Sequence, residues 1–159
     1  MQACVEMVIS CDKWPVEIIN FAEISNNAFA KVMEQFPEFK VFKSLKICIL
    51  LTNDRYMRYL NKSYRNKDKP TNVLSFSEFK IDYSKIQQFP AMVTLDNLFL
   101  GNIAMGYQTL QREAKNYSIT ISKHFTHLAV HGILHLLGFD HEIEKDAQIM
   151  ENLERQILN

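Results

Sequence analysis

All five histidines of the chain fall between positions 124 and 141, in the stretch HFTHLAVHGILHLLGFDH. On a helix, His124, His127, His131 and His135 follow one another at spacings of three, four and four, along one stripe. His131 and His135 then sit one turn apart, with side chains about 6 Å apart along the axis and pointing the same way. Two imidazoles so placed can close on one zinc ion at about 2.0–2.1 Å each. A third ligand must come from beyond the helix. Gly138 follows the last apolar residues, where a left-handed glycine ends a helix, and Asp140-His141 can then return His141 to the same point. Three protein ligands leave one position for water, the arrangement of a catalytic zinc site. A lone histidine on a helix is usually structural, and a single i, i+4 pair arises by chance. Three at 131, 135 and 141, with a glycine where the turn is required, are not explained so easily. His127 reads as a partner of a ligand, a substrate contact or a satisfied polar group, and His124 as packing.

The elements that must position these residues follow from periodicity. Ser122 to Leu137 is apolar almost all round, which predicts a largely buried helix and hence a rigid platform for a metal. Val5–Ile9, Leu45–Leu51, Asn72–Phe79 and Leu98–Met105 read as strands, the second as one buried on both faces and the fourth with Gly101 as a bulge. Helices are expected from Pro15 to about Phe36, from the caps Thr52 and Asn53 through Tyr64, over Tyr107–Tyr117, and over Ile143–Ile157. Residues 80–97 carry no clear pattern. The order β-α-β-α-β-β-α-α-α implies one α/β (α+β) domain over residues 1–159, a small mixed four-stranded sheet covered by about five helices.

Composition bounds the function. A chain of 159 residues fits one domain, and 47% apolar with 23% charged residues is ordinary for a globular protein rather than a disordered one. With 18 basic and 18 acidic residues the net charge is zero, so a polyanion site has to come from local clustering. Arg55, Arg58, Lys62, Arg65, Lys67 and Lys69 supply such a cluster, opposed only by Asp54 and Asp68. The last helix is acidic instead, with Glu142, Glu144, Asp146, Glu151 and Glu154. Tyr56, Tyr59 and Tyr64 interleave with the basic residues and could stack on unpaired bases, although Tyr64 is expected to be core or half-buried. Cys4, Cys11 and Cys48 show no metal or redox spacing and read as buried thiols. No basic leader and no span of roughly 20 apolar residues is present, so a cytoplasmic location without membrane contact is expected.

Several blocks resemble one known family. His131-Gly132-Ile133-Leu134-His135-Leu136-Leu137-Gly138-Phe139-Asp140-His141 is similar to the H-G-x-L-H-L-x-G-[FY]-D-H signature of the YbeY endoribonucleases, which are rRNA maturation factors. Upstream, Leu60-Asn61, Tyr64-Arg65, Lys67-Asp68 and Pro70 through Phe76 resemble that family's L-N-x-x-[YF]-R-x-K-D-x-x-T-[DN]-V-L-S-F block. Leu100-Gly101-Asn102-Ile103 resembles its L-G-D-I segment, with Asn102 where Asp is usual. The resemblance implies a zinc ion held by His131, His135 and His141, one per chain. It implies cleavage of single-stranded RNA in maturing the small-subunit rRNA 3′ end and in ribosome quality control. Its implied partners are the ribosome and its small-subunit assembly factors, including a ribosome-associated GTPase. His131 and Arg65 are then the catalytic candidates, with Arg65 clamping phosphate and Lys67 and Lys69 as further substrate contacts. Asn102 removes any role that needs a carboxylate there.

The histidine spacing is also that of the metzincin proteases, H-E-x-x-H-x-x-G-x-x-H, in which the residue after the first His is the general base. Gly132 occupies that position and cannot move protons, which argues against peptide hydrolysis by that route. Phosphodiester cleavage instead develops charge on phosphoryl oxygens, which suits a metal ion with a guanidinium. Asp140 either orients an imidazole or caps the helix end. Besides a zinc-dependent endoribonuclease, the residues admit a ribosome-assembly binding factor with a structural zinc and, less readily, a metzincin-like peptidase.

Overall fold

A computed structural model describes residues 1–159. Four strands, β1 (Gln2–Ile9), β2 (Ser44–Thr52), β3 (Val73–Ser77) and β4 (Asn97–Gly106), form one sheet in the order β1-β2-β4-β3. β1, β2 and β4 run parallel, while β3 is an antiparallel edge strand on β4. Five helices accompany them: α1 (Phe21–Glu34), α2 (Asp54–Arg65), α3 (Tyr107–Asn116), α4 (Ile121–Leu136) and α5 (Glu144–Leu158). Two 3-10 segments lie at Pro37–Val41 and Tyr83–Met92. The domain is thus α/β with the expected element order. None of the helices is long and apolar enough to cross a membrane.

The main core lies between one face of the sheet and α1 and α4. Along β2, Leu45, Ile47, Ile49 and Leu51 are fully buried on that face, while Lys46 is exposed and Cys48 and Leu50 are half-buried. The continuous apolar run therefore does not mean burial on both faces. The second face is covered only toward one end, where α2 buries Met57 and Leu60 against Leu74 and Ala104. Gly101 takes φ +142° and forms the expected irregularity in β4, opposite Lys46 and Ile47.

Three further expectations are corrected. The first helix starts at Phe21 rather than Pro15, because the Asn20 side chain caps it by accepting from Glu23 N; Ile18 is left 87% exposed. Tyr64 is exposed rather than core, resting edge-on against Phe76. The three cysteines are free and half-buried rather than buried, and burial, then the Glu6 charge, raises the Cys48 thiol pKa. Residues 80–97, which carry no pattern, are buttressing: Ile86 and Phe89 are buried in the core.

Candidate metal centre and cleft

α4 starts from Thr120, whose side chain accepts from Lys123 N. It buries Phe125, Leu128, Ala129, Val130, Ile133, Leu134 and Leu136, and its histidines run along the remaining stripe. β3 lies alongside it. Ser75 Oγ donates to Gly132 O at 2.9 Å and Ser77 Oγ to His135 O at 3.4 Å, so hydroxyls of the edge strand bind the helix carbonyls. This close approach explains Gly132. A Cβ there would stand 3.1 Å from two Ile103 methyl carbons and 3.2 Å from Ser75 Oγ. A Glu at this position would be driven into the sheet, away from the histidines.

The helix ends as its sequence requires. Gly138 N donates to His135 O at 3.0 Å and Phe139 N to Leu134 O at 3.1 Å, the paired bonds of a Schellman stop. Gly138 has φ +89°, and a Cβ on it would fall 2.0 Å from Ile81 O, so only glycine fits. Tyr83 stacks on Phe139 with ring centres 5.0 Å apart and hydrogen-bonds Asp146 of α5. The irregular connection thus clamps the turn that delivers His141. Asp140 Oδ1 accepts from His141 N at 2.7 Å, which turns its carboxylate back onto the backbone.

These elements bring His131, His135 and His141 together, with one ligating nitrogen from each within 4.8 Å of the others. The Nε2 atoms of His131 and His135 are 3.1 Å apart. Donors at 2.0–2.1 Å around a tetrahedral zinc stand about 3.3 Å from one another, so the pair is spaced for such an ion. Burial, and then the like charges of His131 and His141, push His135 down to about 4, leaving its imidazole neutral, the form that ligates.

The other nitrogen of His131 has a partner the sequence did not reveal. His131 Nδ1 lies 2.5 Å from Glu154 Oε1, and His127 Nε2 lies 3.4 Å from Glu154 Oε2. A carboxylate can only accept from Nδ1–H, so in the neutral ring the lone pair of His131 lies on Nε2, toward the cleft. Burial raises the Glu154 pKa, but hydrogen bonds from His127 and His131 outweigh it and hold the carboxyl at about 2. The same bond raises the His127 pKa. Glu154 is therefore not part of an acidic outer face. A signal was available, since Met150, Glu154 and Ile157 recur at the spacing of the buried stripe of α5. His124 is buried, and its Nε2 lies 2.7 Å from Glu113 Oε2.

The three histidines open onto a cleft of about 520 Å³ whose walls include Arg65, Asn72, Ser75 and Asp140. Arg65 is the last residue of α2, whose Asn53 cap accepts from Tyr56 N. The start of α2 is fastened to α3 by Asp54, which accepts from Thr109 N at 3.0 Å and Thr109 Oγ1 at 2.7 Å. Past Arg65, Asn66 turns left-handed, and buried Asn61 donates to Lys69 O at 2.8 Å. Lys67 and Lys69 lie on that loop, exposed and outside the cleft lining. Arg58 and Lys62 are paired with Asp68 at 2.8 and 3.2 Å. Asn102 is exposed on the sheet face opposite Ile103 and α4, so it has no contact with the histidines to tune.

A family model described as Endoribonuclease YbeY matches residues 10–159. Proteins named Endoribonuclease YbeY from Rhodopseudomonas palustris (strain HaA2) and Nitrobacter winogradskyi are both 46% identical over 113 residues, 71% of this chain. That match covers 56% of each of those proteins, so the chain spans about half the length of the curated relatives it matches. The solution structure of TM1509 from Thermotoga maritima matches 97% of this chain and 86% of its own, with TM-score 0.56 and 21% identity, and shares the fold.

Proposed function

This chain belongs to the YbeY endoribonuclease family, and on that premise we propose that it is a zinc-dependent endoribonuclease acting on single-stranded RNA in rRNA maturation. One observation carries the reading: three imidazole nitrogens and one free guanidinium face the same open cleft. His131, His135 and His141 would hold the ion. When bound, zinc supplies Lewis acidity toward a phosphoryl oxygen and lowers the pKa of water. Arg65 binds the phosphate through paired N–H donors and offsets the charge that develops on it. Glu154 holds the ring of His131 in place. Lys67 and Lys69, at the mouth of α2, bind the flanking phosphates of the strand and make its affinity fall with salt.

Three donors at an open cleft favour this reading over a closed structural zinc, which takes four. Gly132 and the packing around it weigh against a peptidase. The family resemblance supports a role at the small-subunit rRNA 3′ end and in ribosome quality control. It also supports a cytoplasmic location and work beside the ribosome and a ribosome-associated GTPase.

The test is cleavage of an end-labelled single-stranded RNA by zinc-loaded protein beside a folded His135→Ala variant. Cleavage by the wild type alone supports the proposal. Equal cleavage by both, or by neither, refutes it and favours an assembly factor. A 2′,3′-cyclic phosphate on the product would mean that the ribose 2′-hydroxyl attacks, and an open phosphate that water does.

A further inference from the structure

Beside the histidine cleft lies a second cavity, of about 320 Å³, that has Asn72, Val73 and His131 in common with it. Its remaining wall joins α3 to the first half of α4. Tyr117 and His127 contribute rings, and Ile119 and Leu128 an apolar floor. Tyr117 is 63% exposed and meets His124 edge-on, with ring centres 5.6 Å apart. Apart from His127, which reaches Glu154 at 3.4 Å, these residues touch nothing in the metal centre.

The polar groups of this wall are already arranged. Asn72 Nδ2 donates to both oxygens of Glu113, at 3.0 and 3.2 Å, and His124 Nε2 lies 2.7 Å from Oε2. Asn72 Oδ1 accepts from Val73 N at 2.7 Å. The three bonds fill three of the roughly four acceptor positions of the carboxylate. One acceptor position remains, on Oε1, held in place by Asn72 and His124.

A cavity of this size, apolar below, aromatic at the side and with one fixed acceptor, suits a planar heterocycle bearing an amino group. It opens one wall away from the place proposed for the phosphate. We propose that this cavity seats the unpaired base next to the cleaved phosphodiester, stacked on Tyr117 and donating an exocyclic amine to Glu113. The proposal rests on the nuclease reading for its substrate. Adenine, cytosine and guanine bring an amine. Uracil brings one N–H flanked by two carbonyl oxygens, which would face the carboxylate. A base held in a helical stack cannot enter, so the seat by itself makes unpaired RNA the substrate.

Zinc-loaded protein should be given oligoribonucleotides that differ only at the nucleotide beside the cleaved bond. The expected result is kcat/KM about fivefold higher for adenine, cytosine and guanine than for uracil, the value of one hydrogen bond. Tyr117→Ala, on an exposed side chain, should raise KM about tenfold with kcat kept, as expected for one lost base stack. Glu113→Gln can present a donor and should move the preference toward uracil, which a purely structural Glu113 would not do. Equal cleavage of all bases, unmoved by Tyr117→Ala, overturns the seat and leaves the nuclease reading intact. Saturable AMP binding with NMR shifts at Tyr117 and His127, but no cleavage of any RNA, supports the seat and overturns the nuclease reading. Absence of both binding and cleavage overturns the seat.

Discussion

Removing the carboxylate behind His131 should loosen the metal without unfolding the protein. Glu154 is buried and lies 2.5 Å from Nδ1 of His131, so the bond is short and charge-assisted. Glu154→Gln keeps an oxygen that accepts from Nδ1–H and loses the charge, while Glu154→Ala removes the acceptor. Partners of this kind are worth about 10- to 100-fold in metal affinity. Gln should therefore sit near the lower value, about 1.4 kcal/mol, and Ala near the upper, about 2.7 kcal/mol. His127→Ala is the control. Its contact with Glu154 is 3.4 Å, and its side chain is 45% exposed, so it should change zinc affinity less than threefold if exposed pairs are worth about 0.5 kcal/mol. Competition with a chromophoric chelator at pH 7.5 measures all three, with circular dichroism confirming the fold. Zinc affinity within twofold of wild type in Glu154→Ala would refute the reasoning, because His131 would then be oriented by helix packing alone.

The other consequences are more local. Arg65→Ala should lower kcat/KM on RNA by about 10², with Lys restoring only part, since one charge without a fork cannot bind two oxygens; full activity in Ala would remove Arg65 from the reaction. In metal-free protein, neutral His135 contributes stability that is full above about pH 6.5, its unfolded value, and is lost as pH falls toward about 4. Glu154 adds a second loss between about 4.5 and about 2. Tm should therefore drop across pH 6.5 to 4, and the drop should shrink in His135→Gln; a flat profile counts against a buried neutral imidazole. Gly138→Ala should cost about 2–3 kcal/mol from its φ of +89° and its approach to Ile81 O, and should weaken zinc binding as well. Urea unfolding and the same chelator competition would show both effects, and weakened stability with unchanged affinity would separate the turn from the ligand.

Much of this arrangement was legible because local rules governed it. The four-residue rise from His131 to His135, the glycine stop at 138 and the cap at Asn53 each depend on neighbours in sequence, and all three appear as expected. What was not legible depends on partners far along the chain. Glu154 belongs to the centre because α5 packs its buried stripe against α4, 23 residues away. The segment after Lys80 lacks periodicity because it is shaped by what it supports, the turn at Gly138, rather than by its own hydrogen bonding. Lys67 and Lys69 look equivalent to Arg65 in sequence, yet the left-handed Asn66 sends the chain away from the cleft immediately after Arg65. The helix expected from Pro15 failed on a local competition, in which the Asn20 side chain offers an earlier residue no place inside the first turn.

His131 and His135 share one rigid helix, whereas His141 stands exposed on a turn held by Tyr83, Phe139 and Ile81. An ion gripped in this way would have an order of release written into it. The turn-borne arm would let go before the helical pair, and recapture would be fast for as long as that pair stays in place. Residence time would then be governed by the stiffness of the turn, and affinity by all three rings. A change to the connection around residue 81 would therefore alter how quickly metal exchanges before it alters which metal is preferred, so lability and selectivity can drift independently of each other.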